Sequence, residues 1–247
     1  MIRTILALTV VFGFTFLVGP PGMLVALFQR NPRVLYTLGR TGCRLGFRLA
    51  GIRLVVKGSE WVDPSRTYVF LANHQSNTDP PALLLAIPHD VKLILKKELG
   101  RIPVLNWVMR QGGFIFIDRS DRTNAIQGMT RAANQLARGD SFLIFPEGTR
   151  SRSGELGKFK KGPFVIALQA KVPILPVTVS GSYDIMPPGR LRIVSGTITV
   201  TFHPPVETQD LTLDHRESLM DQIWNAIDSG REPCSLQPDV RKAVTSS

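Results

Sequence analysis

The chain is poor in the residues that build covalent frameworks and metal sites. Its 247 residues include only two cysteines and four histidines. Cys43 and Cys234 form no disulfide framework and match no metal-ligand spacing, which fits a reducing compartment. His89, His203 and His215 have no carboxylate or histidine at ligand spacing, so they are interpreted as structural. No phosphate-binding P-loop and no dinucleotide-binding glycine motif is present, and we predict neither a metal nor a cofactor.

Acidic residues are also scarce, and the first quarter of the chain almost lacks them. The sequence holds 30 Lys and Arg against 19 Asp and Glu, a net charge of +11. Residues 1–60 contain eight basic residues and one acid, Glu60, so 8 − 1 = +7 of that charge lies there. A basic excess of this kind predicts an anionic partner, either nucleic acid or a lipid surface. With 43% hydrophobic and 20% charged residues, a disordered, collagen-like or polytopic membrane chain is excluded.

Residues 4–28 carry no charge at all. Gly19-Pro20-Pro21-Gly22 interrupts this run, because prolines lack the donors that a helix interior needs. We therefore expect a helix over residues 4–18, a turn or kink, and a second piece over 23–28. The first piece would reach only about 22 Å, short of the roughly 30 Å hydrocarbon core, which favours a half-inserted or kinked anchor over a transmembrane span. A cleaved signal peptide is the less favoured alternative, since no small-residue cleavage site follows.

The next segment, residues 33–52, has the pattern of an amphipathic helix. One face holds four arginines and the opposite face is aliphatic, and a strip of small residues between them invites close packing on another helix. The arginines are Arg33, Arg40, Arg44 and Arg48, and the small residues are Gly39, Gly42, Gly46 and Ala50. A solvated arginine face is the simpler alternative, but such faces usually mix both signs of charge. We predict that the stripe faces anionic lipid headgroups rather than nucleic acid.

The rest of the chain alternates short β-branched or aromatic runs with amphipathic stretches. We predict strands near 54–57, 68–72, 91–95, 114–117, 141–145, 174–179 and 197–202. Helices are predicted near 80–87, 103–110, 122–138, 162–170 and 214–228. This alternation is typical of an α/β fold with a largely parallel central sheet flanked by helices. The expected organisation is an N-terminal two-helix membrane-associating segment over 1–52, an α/β domain over 53–229 and a flexible tail over 230–247.

One strand of this pattern ends in a histidine and a carboxylate. His74 and Asp79 follow the predicted strand 68–72 and precede a predicted helix. Taken singly, His74 reads as a satisfied loop histidine and Asp79 as a helix N-cap before Pro80. Taken together, the H-x4-D spacing on a strand–loop–helix turn lets the two side chains meet. The carboxylate would then hold one imidazole nitrogen protonated and leave the other free to act as a base.

Four ordered sequence blocks between residues 70 and 181 resemble those of the lysophosphatidic acid acyltransferase family, the 1-acylglycerol-3-phosphate O-acyltransferases. The first block, NHxSxxD, is matched by Asn73, His74, Ser76 and Asp79. The second block is the run 113–119, GFIFIDR, the third is 145–151, FPEGTRS, and the fourth is 172–177, VPILPV. H-x4-D alone is weak evidence, whereas four blocks in the family's order make a chance match very unlikely.

The resemblance implies a membrane-associated enzyme that transfers a fatty acyl group from acyl-CoA or acyl-acyl-carrier-protein to the sn-2 hydroxyl of lysophosphatidic acid. The product would be phosphatidic acid, and the expected location is the cytoplasmic face of the cell membrane. His74 would be the general base and Asp79 would orient it, as in the outer part of a serine hydrolase triad. The substrate hydroxyl then takes the place of the enzyme's serine, so no acyl-enzyme is expected.

The same resemblance assigns acceptor binding to the third block and to Arg119. Gly148, Thr149 and Arg150 would contact the phosphate, and Glu147 is expected to position Arg119 or Arg150 or to bind the glycerol hydroxyl. Asp118 and Arg119 are alternatively a structural ion pair at a strand end. Further candidates are Lys96 and Lys97, while Lys158, Lys160 and Lys161 contact the acyl carrier, the membrane or only solvent.

Asn73 and Ser76 are predicted to shape the loop. For Ser76 this role is preferred over that of a nucleophile, and neither Cys43 nor Cys234 is placed to be one. Three rivals remain at this stage. They are transfer to another acceptor, such as glycerol-3-phosphate or a different lyso-lipid, hydrolysis by an acyl thioesterase, and a non-enzymatic basic protein that coats lipid or nucleic acid.

Overall fold

A computed structural model of the chain describes residues 2–29, 31, 33–101, 103–118, 121–190 and 192–232. Seven strands form one sheet in the order β1-β7-β6-β2-β5-β3-β4. The strands are β1 (Ile52–Lys57), β2 (Val69–Ala72), β3 (Lys92–Lys96), β4 (Ile115–Ile117), β5 (Phe142–Ile144), β6 (Ile174–Ser180) and β7 (Gly196–Phe202). The helices are α1 (Ile2–Gln29), α2 (Arg33–Ala50), α3 (Asp79–Ala86), α4 (Pro103–Gln111), α5 (Arg122–Leu136), α6 (Gly162–Ala170), α7 (Ser182–Ile185) and α8 (Arg216–Ser229).

Five neighbouring strands of the sheet run parallel. β6, β2, β5, β3 and β4 share one direction, while β1 and β7 are parallel to each other and β7 is antiparallel to β6. Val69 of β2 pairs with Phe142 on one side and Ile174 on the other, which places β2 inside the sheet. A strand covered on both faces reads as a continuous apolar run, as β2 and β5 do. The predicted α/β fold with a largely parallel sheet is confirmed.

The hydrophobic core lies on both faces of this sheet. Alternate residues of β2 point to opposite faces, so Phe70 joins one buried cluster and Val69 the other. The first cluster contains side chains of α2 and α3, such as Leu83. The second contains side chains of α5, α6 and α8, such as Ile166 and Ile223. Helices therefore cover both faces, and the loops at the strand ends are left to form a site.

The turn expected at Gly19-Pro20-Pro21-Gly22 is wrong, because α1 continues through both prolines, and the alternative of a kinked helix stays a prediction. α1 packs along α2, and the contact is close at two glycines. A Cβ at Gly22 would collide with Leu38, and one at Gly42 would lie 3.2 Å from the Phe14 ring. The two helices therefore approach closely at small residues, as the strip that contains Gly42 predicted. Among the described residues, no helix is long and apolar enough to cross a membrane.

The arginine stripe of α2 does not form a single outward-facing surface. Arg33 is 83% exposed at its side chain, whereas Arg40 is only 22% exposed. The Arg40 guanidinium donates to the carbonyls of Leu84, Ile87 and His89. The lipid-facing role expected of Arg40 is therefore wrong, because α2 packs on α3 and Arg40 satisfies carbonyls at the end of that helix.

Residues 230–232, which were expected to begin a flexible tail, are held by hydrogen bonds. Arg231 donates to Asp228, and the Glu232 N–H donates to the Ser180 hydroxyl. The remaining tail, including Cys234, lies outside the described residues. Residues 230–232 thus belong to the folded body.

Candidate active site

Three of the four sequence blocks meet at one edge of the sheet, while the fourth forms the first part of β6 inside the sheet. β2, β5, β3 and β4 are neighbours with the same direction, so the segments that follow them emerge at the same edge. The segment 73–79, here called the dyad loop, follows β2, and the segment 146–158, here called the acceptor loop, follows β5. The acceptor loop is tied to the dyad loop by a 2.7 Å hydrogen bond from the Ser151 N–H to the His74 carbonyl. Ligands bind at this edge of open α/β sheets.

His74 and Asp79 are in direct contact, as their spacing predicted. The His74 Nδ1 lies 2.8 Å from the Asp79 Oδ2. Because a carboxylate can only accept, this contact places the ring hydrogen on Nδ1 and leaves Nε2 with its lone pair. The same Oδ2 accepts from the N–H groups of Gln75 and Ser76 at 2.6 and 2.7 Å. The Asp79 side chain is fully buried, so the carboxylate that holds the imidazole is itself fixed.

Asp79 does not act as the helix N-cap. Thr78 occupies the cap position and Asp79 is the first residue of α3. The carboxylate instead turns back toward the loop and accepts from Gln75 and Ser76, because those N–H groups have no ladder partner once β2 has ended. The capping interpretation is wrong, and the interpretation as partner of His74 is confirmed by the contact.

The imidazole of His74 is also held from its face. It stacks on the Phe145 ring with centroids 4.0 Å apart and an interplanar angle of 18°. Phe145 is the first residue of the FPEGTRS block, and its contact with the histidine was not predicted. The only signal for it in the sequence was its place at the end of the predicted strand 141–145.

Both loop-shaping predictions are confirmed by hydrogen bonds. The buried Asn73 side chain donates to the Val179 carbonyl and accepts from the Val179 N–H, at 2.9 and 2.7 Å. It thereby imitates a peptide group and extends the pairing of β2 with β6. The Ser76 hydroxyl donates to the Met186 carbonyl and accepts from the Thr78 N–H. A hydroxyl committed to these partners is a structural group, which disfavours a nucleophilic role.

Glu147 does not position an arginine among the described residues. Its Oε1 accepts from the His74 N–H at 2.8 Å and its Oε2 accepts from the Gly157 N–H at 3.0 Å. Burial raises the pKa of the Glu147 carboxyl above its ordinary value, and the two hydrogen bonds oppose that rise. The expected role toward Arg150 is corrected: Glu147 links the dyad loop to the acceptor loop. Its long-range backbone partners could not be read from the sequence.

The acceptor loop lines a concavity that includes Glu147, whose carboxylate accepts from the His74 N–H. A cavity of about 270 Å³ is lined by residues of this loop, among them Thr149, Arg150 and Lys158. Gly148 has a φ of +73°, a conformation that side chains other than glycine rarely adopt. The Arg150 guanidinium donates to the Asn77 carboxamide at 2.8 Å, which aligns it with the dyad loop. Thr149 is exposed, so its hydroxyl is accessible to an anion.

Three further lysines of the predicted set form ion pairs with acidic side chains. Lys97 pairs with Asp118 at 3.3 Å and Lys96 with Glu98 at 3.2 Å, both at exposed positions near the ends of β3 and β4. Arg119 lies outside the described residues, so the Asp118–Arg119 alternative is not decided. Lys161 pairs with Glu217 of α8 at 2.9 Å.

The three other histidines have structural surroundings. The His89 Nε2 lies 3.0 Å from the Arg66 carbonyl, and the His203 Nε2 lies 2.8 Å from the Thr178 hydroxyl. His215 completes a capping box with Thr212 before α8. Burial lowers the pKa of His203 below its ordinary value. These contacts agree with the interpretation of the three histidines as structural, which stays a prediction.

The site thus combines a largely parallel α/β sheet with a histidine–aspartate contact at the carboxyl edge of its strands. A family model described as Acyltransferase matches residues 53–180, which include the dyad loop and the acceptor loop. The chain belongs to this acyltransferase family.

Named relatives point to a narrower group within this acyltransferase family. The human 1-acyl-sn-glycerol-3-phosphate acyltransferase alpha is 37% identical over 183 residues, covering 72% of this chain and 64% of the human protein. The 1-acyl-sn-glycerol-3-phosphate acyltransferase of Saccharomyces cerevisiae is 34% identical over 186 residues, covering 72% of this chain and 61% of the yeast protein. The chain therefore spans less than two thirds of the length of these two relatives.

A solved structure shares the architecture over almost the whole chain. The crystal structure of the 1-acyl-sn-glycerophosphate (LPA) acyltransferase PlsC from Thermotoga maritima superimposes with a TM-score of 0.77 at 28% identity. The superposition covers 92% of this chain and 95% of the Thermotoga chain. The likeness thus extends beyond the segment matched by the family model.

Proposed function

We propose that this protein transfers a fatty acyl group from a thioester donor, acyl-CoA or acyl-acyl-carrier-protein, to the sn-2 hydroxyl of lysophosphatidic acid. The observation that carries the proposal is the 2.8 Å contact between His74 and Asp79, next to a loop that presents Arg150. The names of the human, yeast and Thermotoga relatives support the choice of acceptor. No cofactor is proposed, because the chemistry needs only a base and a good leaving group.

The geometry supports a direct transfer. As the acceptor hydroxyl oxygen attacks the thioester carbonyl, its proton passes to the His74 Nε2. The C–O bond forms, the C–S bond breaks, and the thiol leaves with the proton returned by the imidazolium or from solvent. Asp79 holds the imidazole orientation and stabilises its positive charge. Because the Ser76 hydroxyl is committed to Met186 and Thr78, no acyl-enzyme is included.

The acceptor phosphate is proposed to bind at the acceptor loop. The Arg150 guanidinium offers two-pronged hydrogen bonding to phosphate oxygens, and Thr149 adds a hydroxyl. Gly148 permits the close approach of the backbone. Arg119, Lys96 and Lys97 are retained as further cations for the phosphate. Arg150→Ala is therefore expected to raise the acceptor KM more than it lowers kcat.

The membrane is the proposed source of the acceptor. The N-terminal hairpin, α1 with α2, exposes the large apolar side chains Leu17, Leu24 and Phe28 on α1. Arg44 and Arg48 of α2 are exposed and basic, which suits an anionic phospholipid surface. We propose that the hairpin seats the protein on the cytoplasmic face of the cell membrane, with no role for nucleic acid.

Product analysis tests the proposal. The full-length protein is incubated with each donor and a panel of acceptors, comprising lysophosphatidic acid, glycerol-3-phosphate and lyso-lipids with other headgroups. Phosphatidic acid formed from lysophosphatidic acid is the expected product. Preference for another acceptor would replace the proposed substrate, and thiol release from donor alone, at the rate seen with acceptor, would indicate a thioesterase.

A further inference from the structure

The acceptor loop is also held by helix α8 and by the residues that follow it. The Trp224 indole N–H donates to the Gly157 carbonyl at 3.3 Å. The Arg231 guanidinium donates to the Gly154 carbonyl at 3.1 Å and to the Glu155 carboxylate at 2.9 Å. The two ends of the turn 154–157 are therefore both fixed by residues of α8 or just beyond it, outside the segment 53–180 that the family model matches.

Arg231 is built into this position. Its side chain is only 17% exposed, and its other nitrogen donates to Asp228 at 2.8 Å. Asp228 precedes Arg231 by three residues and holds the guanidinium plane at the end of α8. Burial disfavours the charged form of the Arg231 guanidinium, whereas the hydrogen bonds to Glu155 and Asp228 favour it. Together they raise the pKa of Arg231. An oriented and permanently charged guanidinium is thus presented to the turn.

The turn in question is connected to the catalytic dyad. The Gly154 carbonyl, which accepts from Arg231, also accepts from the Gln75 carboxamide at 2.8 Å. The Gln75 N–H in turn donates to Asp79. At the other end of the turn, the Gly157 N–H donates to Glu147. A displacement of the turn would therefore alter the wall of the acceptor site.

Arg231 also affects the electrostatics of the cavity, because it pairs with a carboxylate that lines it. Glu155 lines the same cavity as Arg150 and Thr149, so a carboxylate faces the place assigned to the acceptor phosphate. A negative charge there repels a phosphate, and pairing with Arg231 offsets it. Arg150 supplies attraction to the anion, while Arg231 limits the repulsion from Glu155.

We propose that Arg231 is a positioning residue for the acceptor site: it fixes the turn 154–157 and offsets the charge of Glu155, which lowers the acceptor KM. This inference rests on the proposed function, in which the acceptor loop binds a phosphate. Arg231 touches no reacting atom, so its removal changes acceptor binding and leaves the chemical step at saturation intact.

The test compares steady-state kinetics of full-length variants with lysophosphatidic acid as the varied substrate. Arg231→Gln should raise the acceptor KM about fivefold and leave kcat and the donor KM within about twofold. Adding Glu155→Gln to this variant should return the KM to within about twofold of the wild type. The rise should shrink at high salt, because screening weakens the repulsion. Arg138→Gln, an exposed arginine before β5, is the matched control and should be silent.

Two further variants make the outcome decisive. Arg231→Lys keeps the charge and should give a KM below that of Arg231→Gln; an equal rise would overturn the charge argument. If Arg231→Gln lowers the melting temperature and kcat together, and Glu155→Gln does not restore the KM, Arg231 is only a structural support and the inference is wrong. If Arg150→Ala raises the acceptor KM and Arg231→Gln does not, this inference fails while the proposed function stands. If neither variant changes the KM, phosphate binding at the acceptor loop is itself refuted.

Discussion

The dyad loop and the N-terminal hairpin differ in how far their side chains are buried and hydrogen-bonded. In the dyad loop, one carboxylate oxygen of Asp79 accepts from the His74 ring and from two backbone N–H groups, and most polar side chains of the loop are buried, with Asn77 exposed. In the hairpin, α1 exposes Leu17, Leu24 and Phe28, and Thr4 forms hydrogen bonds with the Ile193 backbone. The three hydrogen bonds to the Asp79 Oδ2 fix the imidazole, while the buried Oδ1 has no partner among the described residues. A surface proposed to contact lipid requires apolar groups left uncovered by protein.

The largest effect is expected at the dyad. His74→Ala removes the proposed base and should lower kcat by about a thousandfold, with the fold intact. Turnover with lysophosphatidic acid and thermal unfolding are measured together. His215→Ala, a change at an exposed histidine before α8, is the control and should keep full turnover. Substantial residual activity in His74→Ala would contradict the general-base role.

Removing apolar side chains from the N-terminal hairpin should weaken membrane binding. Replacing Leu17, Leu24 and Phe28 with serine removes about 4.5 kcal/mol or more of apolar transfer energy, so partition to vesicles containing anionic phospholipid should fall by more than about a hundredfold. These side chains are already exposed, and the free energy of unfolding in the absence of vesicles should change little. Leu213→Ser, at an exposed leucine of the α/β body, is the matched control. Unchanged partition of the triple variant would rule out α1 as the membrane contact.

Replacing Asn73 tests how much the hydrogen bonds of the dyad loop contribute to the free energy of unfolding. Asn73→Ala leaves the buried N–H and carbonyl of Val179 without their partner and should lower the free energy of unfolding by about 2 kcal/mol or more. Urea denaturation gives this value directly. Asn134→Ala, at an exposed position of α5, serves as the comparison and should be near neutral. Equal stabilities of the two variants would show that the Asn73 contacts contribute nothing net.

The smallest effect is a pH dependence from Glu147. Burial raises the pKa of this carboxyl in the folded state above its unfolded value, so the folded chain binds the proton more tightly between the two values. The contribution of Glu147 to the free energy of unfolding therefore falls as pH rises through that window and is constant above it. Urea denaturation across a pH series should show this fall in the wild type relative to Glu147→Gln. A pH-independent difference between the two proteins would contradict the raised pKa.

Local pattern was sufficient for much of this fold. The strand 68–72 and the helix 162–170 were predicted close to β2 and α6, because apolar runs and turn residues are properties of neighbouring positions. The contact of His74 with Asp79 was predictable for the same reason, since five residues on one turn set their distance. The partners of Glu147 and Arg40 were not, because each binds backbone more than forty residues away.

The sequence by itself determined the α/β alternation, the H-x4-D pair and the asymmetric charge, since each depends on residues that are close along the chain. Only the tertiary structure decided that α1 continues through Pro20 and Pro21 and that Arg40 caps α3. It also decided that Arg231 reaches the turn 154–157. The physical reason is the same in each case: a helix end, a buried carbonyl or a carboxylate is satisfied by whichever group the packing brings near, and packing joins residues that the sequence keeps far apart.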